Sequence, residues 1–140
     1  MTKILVADDE PNILLLIEMV FKDMGMTVVT AKNGQEALDK IEREHPDIVV
    51  TDIIMPEKSG FDVCKEIRAN PNYSHIPVIL LSALGDDFNK ITGFEGGADD
   101  YVTKPFNVEE LKARINAVLM RYKSRNVEPT DNEKKELDTI

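Results

Sequence analysis

Five short runs of apolar and β-branched residues, at 4–7, 27–31, 47–51, 76–81 and 101–103, alternate with longer stretches of helical periodicity. Nothing else in the chain restricts the fold as strongly. Runs without polar alternation, such as Ile48-Val49-Val50 and Val78-Ile79-Leu80-Leu81, suit strands covered on both faces. The intervening patterns predict helices over about 11–24, 34–45, 60–69, 86–96 and 107–122. Asn33 and Asn107 are candidate N-caps, and Gly25 is a candidate stop for the first helix. Strands alternating with helices give right-handed βαβ units, a parallel sheet and helices on both sides. The expected fold is a three-layer α/β domain.

In such sheets ligands bind at the carboxyl ends of the strands. Strand one leads to Asp8-Asp9, strand three to Asp52, strand four to Ser82 and strand five to Lys104-Pro105. Three carboxylates at close quarters repel, and one would hold a proton unless cations compensate. A divalent cation and Lys104 together supply three positive charges against Asp8, Asp9 and Asp52. Mg²⁺ prefers one or two protein carboxylates, several waters and phosphate oxygens, so such a pocket suits phosphoryl chemistry. Taken singly, each of these acids would also serve as a helix cap or a solvated loop group.

The segments Asp8-Asp9-Glu10-Pro11, Thr51-Asp52-Ile53-Ile54-Met55-Pro56 with Gly60, Leu81-Ser82-Ala83, and Gly97-Ala98-Asp99-Asp100-Tyr101 through Lys104-Pro105-Phe106 resemble the receiver domains of two-component response regulators. The resemblance covers about residues 3–122. It implies a flavodoxin-like five-stranded parallel sheet, order 2-1-3-4-5, flanked by five helices. It also implies that Asp52 is the phosphoacceptor. Mg²⁺ (or Mn²⁺) would be held by the side chains of Asp9 and Asp52 and the backbone carbonyl of Ile54, with Asp8 acting largely through metal-bound water. Lys104, the Ser82 hydroxyl and the Ala83 backbone N–H would bind the phosphoryl oxygens. The Lys104–Pro105 bond is expected cis. The implied donor is a phosphohistidine on a sensor histidine kinase or phosphotransfer protein.

By the same resemblance, Ser82 and Tyr101 are the switch pair, Tyr101 turning inward as Ser82 moves toward the phosphoryl group; the competing reading is a half-buried aromatic with its hydroxyl in water. The face made by the fourth predicted helix, the fifth strand and the fifth helix would change as a result. Lys90, Asp100, Glu110 and Arg114 match positions that bridge a symmetric dimer in the winged-helix, OmpR/PhoB-like class. Asn116 departs from that pattern by replacing a basic residue, which leaves Glu95 without its expected partner. On helix one, Ile13, Leu16, Ile17, Val20 and Met24 form one stripe, flanked by Leu14, Leu15 and Met19. The family docks this helix on its kinase, making Leu15 and Met19 candidate contacts as well as candidate core residues. Ile54 and Leu84 place apolar groups two residues beyond Asp52 and Ser82, where they cannot orient an attacking water.

Net charge is −9, which argues against nucleic-acid binding by this domain. The longest apolar run, 13–17, is far shorter than a membrane span. Cys64 is the single cysteine and no Cys/His cluster suggests zinc, so a reducing, cytoplasmic setting is expected. Cys64 itself reads as packed and inert, and His45 and His75 as surface residues. The domain is expected over 1–122, with 123–140 a charged linker or the start of a C-terminal extension. A phosphatase using Asp52 as nucleophile is a competing class, although Ile54 stands where a second acid is typical. A flavin or nucleotide carrier is another, although the loop after strand one carries acids instead of Gly, Ser or Thr. Within the family the output stays open: a transcription factor, a cyclic-dinucleotide enzyme or a stand-alone module.

Overall fold

A computed structural model describes residues 1–83 and 96–126, with side chains to 122. Its strands are β1 (Lys3–Ala7), β2 (Thr27–Ala31), β3 (Ile48–Asp52), β4 (Val78–Ala83) and β5 (Asp100–Lys104). All pairings are parallel and the order is β2-β1-β3-β4-β5, as expected. The helices among the described residues are α1 (Pro11–Asp23), α2 (Gly34–Glu44), α3 (Gly60–Ala69) and α4 (Val108–Asn126). α4 is the fifth helix expected from the sequence, running four residues beyond the expected end at 122. The helix expected over 86–96 lies, apart from Gly96, outside the described residues.

Local chemistry sets the helix ends. Asn33 accepts from the Glu36 N–H at 2.8 Å and caps α2. Ser59 and Asp62 form a reciprocal capping box on α3. Asn107 accepts from the N–H groups of Glu109 and Glu110 at the start of α4. Gly25, at φ +81°, follows the end of α1 in the left-handed region that glycine enters freely.

Two cores sandwich the sheet. Leu5, Val49 and Leu80 face α2 and α3, packing with Ala37, Ile41, Val63 and Ile67. Ile4, Val6, Val50, Leu81 and Val102 face α1 and α4, packing with Ile17, Phe21, Leu111 and Ile115. Alternate strand residues therefore serve opposite layers, which explains the continuous apolar runs. The buried line of α1 is Leu14, Ile17 and Phe21. Leu16, expected within the stripe, is instead 41% exposed, and Leu14, expected on its flank, is in the core. Phe21, the largest fully buried side chain, lies on this line. Leu15 and Met19 are exposed.

A polar clamp closes the amino ends of β4 and β5. The Arg68 guanidinium donates to the carbonyls of Gly97, Ser74 and Ile76 and pairs with Asp99 at 2.8 Å. Asp99 also accepts from the Val78 N–H and from the Tyr122 hydroxyl on α4, each at 2.8 Å.

Candidate functional site

Strand parity assembles the site. Val6, Val50 and Val102 point toward α1 and α4, so the residues two positions on, Asp8, Asp52 and Lys104, emerge on that same side at the strands' carboxyl ends. Ala83, two beyond Leu81, joins them. The cleft there has a volume of about 680 Å³ and is lined by Asp9, Glu10, Asp52, Ile54, Ala83 and Lys104, among others. A second cleft of about 930 Å³ lies at the opposite end of the sheet, with His45, His75 and Asp47 on its walls. It is larger, but Asp47 accepts from the Lys3 N–H at 2.7 Å, and no cluster of acids and cations converges there among the described residues.

Asp8 is fully buried. Its Oδ1 accepts from the Glu10 N–H at 2.9 Å, and its Oδ2 lies 2.7 Å from Lys104 Nζ. That second contact is a charge pair without an aligned hydrogen bond. Lys104 Nζ donates to Asp52 Oδ2 at 2.9 Å and to Glu10 Oε1 at 3.3 Å. Burial pushes the Asp52 carboxyl above the usual aspartate range and the charge of Asp8 adds to the shift, while the hydrogen bond from Lys104 opposes both. Desolvation alone would lower the Lys104 pKa, but pairing with Asp8 and Asp52 outweighs it and holds the ammonium charged.

The loop from β3 to α3 is pinned against Asp52. The Gly60 N–H donates to the Ile53 carbonyl at 2.8 Å, and a Cβ on Gly60 would fall 2.3 Å from the Asp52 carbonyl oxygen. Gly34 is pressed as closely on the same loop, where a Cβ would meet the Lys58 carbonyl at 2.1 Å. Ile54 projects from this loop, 72% exposed at the cleft. The Lys104–Pro105 peptide is cis.

On the opposite face of the sheet, Ser82 is fully buried and its hydroxyl has no hydrogen-bond partner among the described residues. An unmatched buried hydroxyl costs about 1–3 kcal/mol. Leu80 pairs in register with Tyr101, so Ser82, two residues on, shares the face of Tyr101 on the adjacent strand. Tyr101 is buried in the core with Leu80 and Ile67, deeper than a half-exposed strand aromatic. Asp100 pairs with Arg114 through both oxygens at 3.1 Å, and Glu110 holds the same guanidinium at 3.1 Å. Lys90, Leu84 and Glu95 lie outside the described residues. Cys64 is buried, and burial raises its thiol pKa; His45 and His75 are exposed.

Could a metal ion be held here? One oxygen each from Asp8, Glu10 and Asp52 lies within 4.8 Å of the others, and Asp8 Oδ2 has no aligned donor. An all-oxygen set of carboxylates fits a hard divalent cation. Asp9 lines the cleft but is not in that trio; Glu10, which sequence reasoning did not single out, is. Its position beside two acids was the available signal, yet no strand or helix period fixes where a side chain points in that turn.

The family model of the response regulator receiver domain matches residues 4–116. The "Probable transcriptional regulator ycf27" of Guillardia theta is 50% identical over 119 residues, 85% of this chain and 46% of that protein. The alkaline phosphatase synthesis transcriptional regulatory protein PhoP of Bacillus subtilis (strain 168) is 44% identical over 119 residues, 85% of this chain and 49% of its own length. The chain thus spans about half the length of these relatives. The solved receiver domain of the Francisella response regulator 1452 superposes with a TM-score of 0.79 at 40% identity, covering 86% of this chain and 98% of that one. With the acidic cleft at the expected sheet end and the sheet order matched, the chain belongs to the response regulator receiver family and is a receiver domain of two-component signalling.

Proposed function

We propose that Asp52 accepts a phosphoryl group from a phosphohistidine on a sensor histidine kinase or phosphotransfer protein. The observation that carries this reading is the Lys104 ammonium, held 2.9 Å from Asp52 and 2.7 Å from buried Asp8 in one open cleft. A carboxylate oxygen of Asp52 bonds to phosphorus as the P–N bond breaks, and its electron pair returns to the donor imidazole ring. Lys104 neutralises charge on the phosphoryl oxygens, and the Ser82 hydroxyl and Ala83 N–H donate to them. A Mg²⁺ ion held by Asp8, Asp9, Asp52 and the Ile54 carbonyl would supply charge compensation for the transferring group. The family acts as a signalling domain; this chain turns over only its own phosphoryl group.

Phosphorylation changes Asp52 from −1 to about −2 and adds strong acceptors. The buried Ser82 hydroxyl, unpartnered among the described residues, gains an acceptor, and Tyr101, on the same face one strand away, responds to its movement. Asp100, Glu110 and Arg114 lie on the face this pair controls, a candidate surface for a homodimer, with Lys90 as the fourth charge. Exposed Leu15 and Met19 on α1 are candidate kinase contacts. The receiver takes in residues 1–122 with its last helix running on to Asn126, the stretch up to 140 is a charged linker or the start of a C-terminal extension, and the setting is cytoplasmic. No helix among the described residues is long and apolar enough to cross a membrane.

Incubation with a small phosphodonor and Mg²⁺ tests the reading. A base-labile phosphoprotein that fails to form in chelator is expected; chelator-independent labelling, or steady release of phosphate from unrelated esters, would contradict it.

A further inference from the structure

Lys104 has three carboxylate neighbours, and the chemistry above uses only two of them. Its Nζ lies 2.7 Å from Asp8, 2.9 Å from Asp52 and 3.3 Å from Glu10. The oxygens it touches belong to the same trio that lies mutually within 4.8 Å. The ammonium therefore stands where these carboxylates converge, which is also where a divalent cation would draw on Asp8 and Asp52. Ammonium and cation compete for the same carboxylates.

Glu10 differs from its two companions. Its side chain is 62% exposed, whereas Asp8 is fully buried and the Asp52 side chain is 14% exposed. It is the N-cap residue of α1, yet its side chain makes no cap hydrogen bond, and Pro11 follows at the first helical position. The carboxylate is thus not committed to the helix. Its backbone is fixed, because the Glu10 N–H donates to Asp8 Oδ1 at 2.9 Å. The result is an adjustable anionic arm, rooted beside the buried acid and reaching the lysine from the solvent side.

Resting on the reading of Asp52 as a phosphoacceptor in a Mg²⁺ site, we propose that Glu10 is a positioning residue that keeps the Lys104 ammonium at the cleft mouth while Asp8 and Asp52 are given over to the cation. Without this arm, cation entry strips a part-buried ammonium of its counter-charges. With it, Lys104 retains a charge-assisted contact throughout. Lys104 then remains close enough to meet the phosphoryl group.

The test is a thermodynamic cycle on the 140-residue chain, with Mg²⁺ affinity measured by titration calorimetry for wild type, Glu10→Gln, Lys104→Met and the double variant. Glu10→Gln is expected to weaken Mg²⁺ binding about tenfold, the lower end for a residue acting on a metal site through a neighbour. In the Lys104→Met background the same change is expected to matter less than about twofold, because the group Glu10 acts through is gone. Equal weakening in both backgrounds overturns the proposal, since it makes Glu10 a direct ligand or a general field source. No weakening in the wild-type background overturns it as well. If Lys104→Met does not fold, Lys104→Gln closes the same cycle. Absence of Mg²⁺ binding by wild type sinks the phosphoacceptor reading itself, whereas binding indifferent to Glu10 sinks this inference alone.

Discussion

Asp8 carries its charge with no exposed surface, and it is tolerable there because Lys104 sits 2.7 Å away. The charge balance drawn from sequence set Asp8, Asp9 and Asp52 against Lys104 and a divalent cation. With Glu10 also beside the lysine, four acids surround the cleft, one more than that sum neutralises. The surplus falls on Asp9 and Glu10, the two exposed members, where water screens it. Ile54 belongs to the same scale. Its exposed apolar side chain at the cleft offers no hydrogen bond to a water attacking the aspartyl phosphate. Ile54→Asn is expected to speed loss of the phosphoryl group about tenfold, a small share of what full general-base catalysis contributes. The decay of labelled protein after donor removal measures it; an unchanged lifetime would mean that Ile54 does not limit the rate.

At the level of elements, the cleft depends on how the β3–α3 loop is seated. Gly60 brings α3 against the carbonyl of Asp52, and Gly34 brings α2 against Lys58, so two helix starts fix one loop. Gly60→Ala is expected to lower stability by about 1–3 kcal/mol, as overpacking against backbone does. Chemical denaturation would show it as a lower midpoint; an unaltered midpoint would mean that the loop can yield. These element-level features differ in how legible they were. The carboxyl ends of the strands were legible from the apolar runs, and Asp8, Asp52 and Lys104 stand at or just beyond those ends. The phase of α1 was not legible, because five consecutive apolar residues at 13–17 fit several helical faces and only packing against the sheet, with Leu14, Ile17 and Phe21 inward, selects one. Glu10 lies in a turn without any period. The clamp of Arg68, Asp99 and Tyr122 joins residues distant in sequence, and no local pattern announces it.

For the whole molecule, the sheet order and the two cores make one rigid frame that holds the acids at one end and the Asp99 clamp at the other. The charged surface near β5 is already paired within the chain, since Arg114 holds both Asp100 and Glu110. Exposed pairs of this kind contribute about 0–1 kcal/mol each. Exchanging them for bridges to a second copy therefore yields little by itself, and dimerisation must draw on the change that follows phosphorylation. Size measurement is expected to give a monomer in Mg²⁺ alone and a dimer with Mg²⁺ and beryllofluoride; a monomer in both at high concentration would contradict the shared-face dimer.

In the function proposed here, Asp52 is the residue that carries the signal. Intact-mass spectrometry after incubation with a small phosphodonor and Mg²⁺ tests it most directly, with wild type and Asp52→Asn treated side by side. Wild type is expected to gain the mass of one phosphoryl group, lost on treatment with hydroxylamine, and Asp52→Asn to gain none. The same gain on Asp52→Asn, with the same lability, would contradict it.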